Sequence, residues 1–316
     1  MIFLTGATGF VGRALSSNLV RKGLVVKAVV RELSDELSSE VKQIKIDDLT
    51  ELSGEETRRA LKGVKAVVHM AAITYLKNNN SLDSLKQLHS TNVDATLNLA
   101  RHAAAAGVKR FIFLSSVKVN GEETAPGEKF SAEDTSAPED PYAVSKMQAE
   151  NGLRKISSDT GLEIVIIRPP LIYGPGVKGN FRSMMHWISK GIPLPLGAIR
   201  NHRSLIALDN LVDFITTCIE HPAAANQLFL VADGEDLSTS ELLRRVGDAM
   251  NKPTQLVYVP VSWLKFGAAL LGKRAIAQRL CGNLQVDSTK ARRMLDWTPP
   301  LHVYEGLKKA VSNDRA

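Results

Sequence analysis

Three glycines near the start of the chain, Gly6, Gly9 and Gly12, constrain its fold more than any other feature. A short apolar run at residues 2–4 leads into them, and an apolar pattern at helical spacing follows. Gly6 can adopt backbone angles closed to other residues, Gly9 lets an anion approach the main chain, and Gly12 lets the helix press onto the strand. The free N–H groups of the helix N-terminus then point at that anion. The stretch predicts a strand, a tight loop and a helix around a phosphate group.

The same glycine spacing also occurs in ordinary turns, so the surrounding pattern decides its meaning. Apolar residues recur at helical spacing across residues 10–21, and residues 25–30 read as a second apolar strand. This strand–helix–strand unit has the length of a dinucleotide-binding unit. We therefore expect the glycine loop to bind the pyrophosphate of a dinucleotide.

Strands and helices continue to alternate through the first half of the chain. The further strands are predicted at 43–46, 66–72, 110–114 and 163–167, and the two long helices at 82–106 and 142–157. This alternation predicts an α/β fold with a doubly wound parallel (Rossmann) sheet. We expect residues 1–168 to form the Rossmann domain and 169–316 a smaller, mostly helical substrate region, with part of 205–235 returning to the Rossmann domain.

The composition is that of an ordinary globular protein. The chain has 316 residues, 44% hydrophobic and 23% charged. No apolar run approaches the roughly 20 residues that span a bilayer, and the first strand begins at Ile2, which leaves no room for a signal peptide. We expect a cytoplasmic protein without a membrane partner.

The net charge and the spacing of cysteines and histidines limit the classes of ligand that the chain is expected to bind. The net charge is +7, but the basic residues are scattered and aromatic residues make up only 5%. An acidic small substrate explains this excess better than nucleic acid does, and a solvated basic surface explains it nearly as well. The two cysteines lie far apart and the seven histidines show no metal-ligand spacing, so no metal is expected.

The stretch 263–280 has an amphipathic helical pattern that carries Lys265, Lys273, Arg274 and Arg279. Such a pattern is typical of a helix that packs its apolar face on its own domain, and also of one that lies on a membrane surface. We expect packing against its own domain, with the membrane surface as the alternative.

Tyr142 and Lys146 lie one helical turn apart and therefore on one face. A phenol with a pKa near ~10 is a poor base at neutral pH, and a neighbouring ammonium lowers that pKa. The preceding strand ends in Ser115 and Ser116, whose hydroxyls can bond a substrate hydroxyl or act only as a strand-end cap. The order glycine loop, serine pair and Tyr–Lys pair predicts an acid/base site beside a nicotinamide. A second Tyr-x-x-x-Lys, Tyr304 and Lys308, lacks this context and is expected at the surface.

A set of short motifs extends along nearly the whole chain. They are Thr5-Gly6-Ala7-Thr8-Gly9-Phe10-Val11-Gly12, Asp48-Leu49, His69-Met70-Ala71-Ala72, Asn92-Val93, Ser115-Ser116, Tyr142 to Lys146, Arg168-Pro169, Tyr173-Gly174-Pro175-Gly176, and Asp287 to Lys290 with Leu295-Asp296-Trp297. As a set they resemble the extended short-chain dehydrogenase/reductases, specifically the NAD-dependent epimerase/dehydratase family of nucleotide-sugar enzymes.

The resemblance implies a role for each matching residue. Tyr142 would be the acid/base, Ser116 would orient the sugar, and Lys146 would hold the nicotinamide ribose and lower the tyrosine pKa. The implied cofactor-binding residues are Gly6, Thr8, Gly9, Phe10, Val11, Gly12, Arg31, Asp48, Leu49, Ala71, Ala72, Asn92, Tyr142, Lys146 and Pro169. The implied substrate-binding residues are Ser116, Lys118, Asn180, Arg203 and Arg279, with the two arginines at the diphosphate.

Two departures from the family pattern narrow the reaction. Dehydratases carry Asp-Glu after the hydroxyl residue, whereas Val117-Lys118 follows Ser116, so dehydration is not expected. Arg31 occupies the position where an acidic residue would bind the adenosine ribose. The Arg31 guanidinium could bind the 2′-phosphate of NADP, whereas the next residue, Glu32, could bind the ribose of NAD. Both NAD and NADP therefore stay open as the cofactor.

We expect a nucleotide-sugar carbon-4 oxidoreductase, in the first place a UDP-hexose or UDP-N-acetylhexosamine 4-epimerase of bacterial polysaccharide synthesis. The alternative is an NAD(P)H-dependent reductase of a UDP-4-keto-6-deoxy-N-acetylhexosamine, and a more distant one is a non-catalytic dinucleotide sensor. The resemblance also implies a homodimer through the helices at 82–106 and 142–157. The alternative for the apolar stripe of Val93, Leu97, Ala100 and Ala104 is packing on the sheet.

Overall fold

The computed structural model describes residues 1–51, 54–74 and 81–312. Across these ranges a seven-stranded parallel sheet forms the centre of the molecule. Its strands are β1 (Ile2–Thr5), β2 (Val26–Val30), β3 (Lys42–Lys45), β4 (Ala66–His69), β5 (Arg110–Leu114), β6 (Glu163–Arg168) and, later in the chain, β9 (Leu228–Leu230). The order β3-β2-β1-β4-β5-β6-β9 confirms the predicted doubly wound α/β sheet.

The central strands are mostly apolar because both faces of the sheet are covered, and their few polar residues, Thr5, Lys27 and His69, are buried. Every residue of β1, β2 and β4 is buried. β1 pairs with β2 on one side and with β4 on the other, with Ile2 opposite both Val26 and Ala66. The strand order reverses at β1, so a crevice opens beyond the carboxyl ends of β1 and β4, where ligands of such sheets bind.

Helices cover both faces of the sheet. The α-helices of the described residues are α1 (Phe10–Arg21), α2 (Gly54–Leu61), α3 (Leu82–His89), α4 (Ala95–Ala105), α5 (Pro141–Thr160), α6 (Asn180–Ser189), α7 (Leu208–Glu220), α8 (Thr239–Met250), α9 (Val261–Leu270), α10 (Arg274–Cys281), α11 (Thr289–Leu295) and α12 (Val303–Ser312). α1 and α7 pack on one face, and α2, α4 and α5 on the other. A third apolar cluster joins α6, α8 and α12 to a two-stranded sheet of β7 (Leu171–Tyr173) and β8 (Leu205–Ala207).

The helix predicted at 82–106 is interrupted. Between α3 and α4, residues Ser90–Asp94 form a π-helical segment, so the prediction of one regular α-helix is wrong there. The side-chain amide of Asn92 in this segment donates to the Ile73 carbonyl at 2.9 Å and to Ser145 Oγ at 3.0 Å, and its oxygen accepts from the Ile73 N–H. Because a π-helical turn contains an extra residue, the Asn92 side chain can join the loop after β4 to α5.

The helix predicted at 263–280 is two helices, because Gly272 adopts a left-handed φ of 66° and ends α9. The prediction that this stretch packs its apolar residues on its own domain is also wrong for much of it, since Trp263, Phe266 and Leu270 are each about 70% exposed. No helix in the described part of the chain is long and apolar enough to cross a membrane.

Candidate active site

The glycine loop between β1 and α1 is shaped to receive a phosphate group. Gly6 has a left-handed φ of 70°, and a Cβ there would lie 2.7 Å from the Ala71 nitrogen. A Cβ on Gly12 would lie 2.1 Å from the Gly6 carbonyl oxygen, so only glycine lets α1 start this close to the loop. Gly9 is the N-cap residue, and no described side chain caps the helix. The first amides of α1 therefore point into the crevice with free N–H groups, which fits a dinucleotide pyrophosphate.

A buried histidine fixes the opposite wall of the crevice. His69 is fully buried, with Nδ1 at 2.7 Å from Thr5 Oγ1 and Nε2 at 2.8 Å from Thr96 Oγ1. Thr96 donates its own proton to the Asn92 carbonyl, so Nε2 carries the ring proton and Nδ1 accepts from Thr5. Burial, aided by nearby Lys146, lowers the pKa of His69 to about 3, so the ring stays neutral. Thr5 Oγ1 also accepts from the Ala71 N–H, which holds the Ala71–Ala72 loop beside the glycines.

Tyr142 and Lys146 lie at the start of α5, beyond the end of β5. Asp140 caps this helix by accepting the Ala143 N–H at 2.7 Å, and Pro141 occupies its first position. The Lys146 ammonium donates to the Leu114 carbonyl at 2.8 Å, and its Nζ lies 6.0 Å from the centre of the Tyr142 ring. The structure thus places the Tyr–Lys pair on one face of the helix and beside the crevice.

The pKa of the tyrosine shifts opposite to the prediction. Burial, with a smaller contribution from the Asp140 carboxylate, raises the pKa of Tyr142 to about 12. Burial also lowers the pKa of Lys146 to about 7, against the opposing effect of Glu150. In the protein alone, desolvation therefore outweighs the lysine charge that was expected to lower the tyrosine pKa.

Lys146 is expected to make the stability of the dinucleotide-free protein rise with pH. Its pKa falls from 10.5 to about 7 on folding, so between these values the unfolded chain binds a proton that the folded chain has released. The free energy of unfolding then increases with pH, by up to about 1.4 kcal/mol per pH unit. Urea titrations from neutral to alkaline pH should show wild type gaining stability over Lys146→Met. A difference that stays constant with pH would contradict this account.

Ser116 and Lys118 lie in the turn after β5. Ser116 Oγ accepts the Lys118 N–H at 3.3 Å, and the adjacent Val117 N–H donates to the Pro169 carbonyl, which joins this turn to the end of β6. The Lys118 ammonium pairs with Glu122 at 2.7 Å and, more closely, with Asp140. Burial acts to raise the pKa of Asp140, but hydrogen bonds from Lys118 and Ala143 lower it overall. Lys118 thus links the serine turn to the cap of α5, and its charge is already neutralised.

A buried ion pair that the sequence analysis missed supports this arrangement. The Arg168 guanidinium holds the Glu150 carboxylate through two bonds of 2.9 and 2.5 Å, and both side chains are at most 3% exposed. Glu150 also accepts from Ser115 Oγ, and Arg168 donates to Asn120 Oδ1. Tyr142, Lys146 and Glu150 recur every four residues, a helical spacing that could have pointed to Glu150.

The candidate residues at the adenosine end lie farther along the sheet. Arg31 follows β2 and is exposed, and its side chain forms no hydrogen bond or ion pair within residues 1–51, 54–74 and 81–312. Asp48 follows β3 and accepts the Thr50 N–H, while Leu49 begins a short 3₁₀ turn and is partly buried. Thr8 is exposed in the glycine loop, and Phe10 and Val11 open α1. The candidate cofactor residues therefore follow the carboxyl edge from β3 to β6.

The two predicted diphosphate arginines, Arg203 and Arg279, lie near each other, and Arg279 belongs to the last turn of α10. The Arg203 guanidinium donates to the Gly282 carbonyl at 3.1 Å. Burial lowers the pKa of Arg203, Glu123 counteracts this, and Arg279 is near enough to lower the pKa further. A shallow depression of about 460 Å³ lies beside them, lined by residues that include Arg200, Tyr258 and Cys281. Asn180, in contrast, is exposed at the start of α6, and its side chain bonds to no other described residue.

The loop after Ser116 is tied to a segment late in the chain. The Thr124 N–H donates to the Asn283 carbonyl at 3.0 Å and the Phe130 N–H to the Gln285 carbonyl at 2.9 Å. The Asp287 N–H then donates to the Phe130 carbonyl at 2.8 Å. These main-chain bonds join residues 124–130 to 283–287 along one side of the site.

The second Tyr-x-x-x-Lys pair is at the surface, as predicted. Tyr304 is 47% exposed on α12, and Lys308 stacks over its ring at 4.3 Å from the centre. This pair lies on α12, which packs in the third apolar cluster, and not at the carboxyl edge of the seven-stranded sheet.

Comparisons with known proteins identify the family and the fold of the chain. The sequence model of the NAD dependent epimerase/dehydratase family matches residues 2–232. A protein of Vibrio cholerae named UDP-glucose 4-epimerase is 46% identical over 98% of this chain and 94% of its own length. The fold is shared with a UDP-glucose 4-epimerase from Thermotoga maritima solved with UDP-glucose, which is 22% identical with a TM-score of 0.81 over 99% of this chain and 98% of that one. It is also shared with the Thermus thermophilus enzyme solved with NAD, 21% identical with a TM-score of 0.79 over 100% and 99%.

Proposed function

The chain belongs to the NAD-dependent epimerase/dehydratase family, and we propose that it is a UDP-hexose or UDP-N-acetylhexosamine 4-epimerase that retains NAD. It is a nucleotide-sugar enzyme of the extended short-chain dehydrogenase/reductases. The observation that carries the proposal is the position of Ser116, Tyr142 and Lys146 at the strand ends next to the glycine loop. The name of the Vibrio relative, UDP-glucose 4-epimerase, supports chemistry at carbon 4 and a UDP carrier.

The chain's own residues supply the proton chemistry. A nicotinamide dinucleotide held by the glycine loop and Lys146 would supply hydride transfer from carbon 4 of the sugar and back to its opposite face. Tyr142 Oη takes the proton of the carbon-4 hydroxyl and gives it back to the same oxygen, which Ser116 Oγ orients. Because burial raises the pKa of Tyr142, proton removal depends on positive charge close to the phenol, and the protonated form of Lys146 is the group on α5 that supplies it.

The substrate's charged end is assigned to the arginine pair. Burial and the nearby Arg279 guanidinium lower the pKa of Arg203, whereas the carboxylates of Glu123 and Glu122 act in the opposite direction. A diphosphate there gains charge-assisted hydrogen bonds from guanidinium groups. Lys118 contributes to the acid/base site indirectly. Its ammonium pairs with Glu122 and with Asp140, the N-cap residue of the helix that carries Tyr142 and Lys146.

A second candidate, the NADPH-dependent reductase of a UDP-4-keto-6-deoxy sugar, is favoured by one observation. Arg31 is exposed at the end of β2 and free of ion pairs among the described residues, so its guanidinium is available for a 2′-phosphate. The same half-reaction at carbon 4 serves both enzymes. They differ in whether the dinucleotide stays bound.

Analysis of the dinucleotide released by the freshly purified, denatured protein separates these candidates. We expect near-stoichiometric NAD by mass, and interconversion of UDP-glucose with UDP-galactose, or of their N-acetyl forms, without added cofactor. An empty protein with affinity only for NADPH would favour the reductase and give Arg31 its role. Tightly bound dinucleotide without hydride exchange on any UDP-sugar would favour the sensor.

A homodimer and a cytoplasmic location stay predictions. Of the stripe proposed for the dimer, Val93 and Ala100 are buried within the chain, and Leu97 packs against α5 at Gly152. A Cβ at Gly152 would lie 2.6 Å from the Leu97 methyl groups, so α4 and α5 form one closely packed pair. A dimer through these helices would therefore use the outer surface of that pair.

A further inference from the structure

The hairpin of α9 and α10, residues 261–281, carries an apolar surface that the chain leaves uncovered. Trp263, Phe266 and Leu270 are 73%, 68% and 73% exposed, and Leu271 and Ile276 add 72% and 52%. No residue of α9 is fully buried. A monomeric protein seldom leaves so many large apolar side chains together in water, so this surface has a partner.

The sequence of α9 explains the exposure. Val261 and Leu264 lean on the third apolar cluster and anchor the helix. Trp263, Phe266, Leu270 and Leu271 follow the spacing i, i+3, i+7 and i+8, which forms a second apolar stripe on another face. A helix that is apolar on both sides needs a second apolar environment, and the described chain provides only one.

The charge around the stripe identifies that environment. Residues 251–286 contain no Asp or Glu, and their basic residues are Lys252, Lys265, Lys273, Arg274 and Arg279. In the part of the chain that the structure describes, Lys265, Lys273 and Arg274 are exposed and form no ion pair. Exposed basic groups on the same hairpin as exposed Trp, Phe and Leu side chains match a bilayer surface with anionic headgroups. Two copies of this hairpin packed about a two-fold axis would instead set like charges against each other.

We propose that the α9–α10 hairpin docks this protein on anionic membrane surfaces, with Trp263, Phe266 and Leu270 in the headgroup–acyl boundary. This revises the expectation of no membrane partner. The element lies on the surface and does not span the bilayer. Because α10 also carries Arg279, docking brings the diphosphate end of the cleft close to the membrane; this last step rests on the proposed function.

Vesicle binding by the full chain tests the proposal without any substrate. We expect sedimentation with vesicles of phosphatidylcholine and phosphatidylglycerol, little with phosphatidylcholine alone, and a blue shift of Trp263 fluorescence that is lost in Trp263→Phe. The double variant Trp263→Glu/Phe266→Glu should bind to anionic vesicles at least roughly tenfold more weakly than wild type. The double variant Lys265→Glu/Lys273→Glu should lose the preference for anionic vesicles. Tyr304→Glu, an exposed aromatic on α12, is the matched control and should bind like wild type.

Three outcomes would overturn the proposal. They are absence of binding to anionic vesicles, equal binding by wild type and the Trp263→Glu/Phe266→Glu variant, and shielding of Trp263 by self-association in light scattering without vesicles. Turnover in vesicle-free solution shows whether each variant is folded, since none of these positions lies in the acid/base site. A failure of vesicle binding with intact turnover would refute the docking surface and leave the proposed epimerase untouched.

Discussion

Tyr142→Phe is expected to lower the turnover number for UDP-sugar epimerisation by about a thousandfold. The phenyl ring keeps the packing of the half-buried side chain but removes the oxygen that takes and returns the carbon-4 proton. Dinucleotide content should stay near that of wild type, because the glycine loop and Lys146 are unchanged. Steady-state rates and the mass of the released dinucleotide, measured on the same preparation, check both parts.

Tyr304→Phe provides the matched control for this substitution. It removes the same oxygen from the other Tyr-x-x-x-Lys pair, where the ring is 47% exposed and stacked by Lys308. Its turnover should equal that of wild type. Near-wild-type turnover of Tyr142→Phe with full dinucleotide content would refute the assignment of Tyr142 as the acid/base.

Arg168→Met is expected to lower the free energy of unfolding by about 3–5 kcal/mol. The substitution leaves the Glu150 carboxylate, 1% exposed, without its bidentate partner, and it strips Asn120 of a donor. Urea unfolding at neutral pH measures the loss. Turnover of the remaining folded protein should also fall, because Arg168 fixes the position of Glu150, which lies one turn from Lys146 on α5.

Two comparisons make this result specific to burial. Arg59→Met breaks an exposed ion pair with Glu55 on α2 and should change stability by less than about 1 kcal/mol. The double variant Glu150→Met/Arg168→Met removes both charges, so much of the lost stability should return. A single variant as stable as wild type would show that the buried pair contributes little.

The sequence predicted those parts of the fold that depend on local pattern. Apolar strands, the glycine spacing and the alternation of elements specify the sheet, because each has a physical cause within a few residues. The placement of Tyr142 and Lys146 at a strand end was predictable for the same reason. Glu150 was within reach of the same helical spacing, but its partner Arg168 lies on a different strand, and only the fold brings them together.

Other features depended on tertiary context. The π-helical segment at 90–94 follows from bonds that Asn92 makes with Ile73 and Ser145, which no local pattern encodes. The direction of the Tyr142 pKa shift depends on how far the phenol is desolvated, and that is a property of the packed site. The prediction that α9 packs its apolar residues on its own domain failed for the outer face of the helix. Periodicity shows which residues share a face but not what covers that face.

The main-chain bonds between residues 124–130 and 283–287 bear on how substrate enters and leaves. A hinge motion that separated residues 124–130 from 283–287 would have to break these bonds at every turnover. We therefore infer that this side of the cleft acts as a fixed wall. For the proposed epimerase a fixed wall has a clear benefit: the sugar, once oxidised to the ketone at carbon 4, stays confined on that side while it changes the face that it presents.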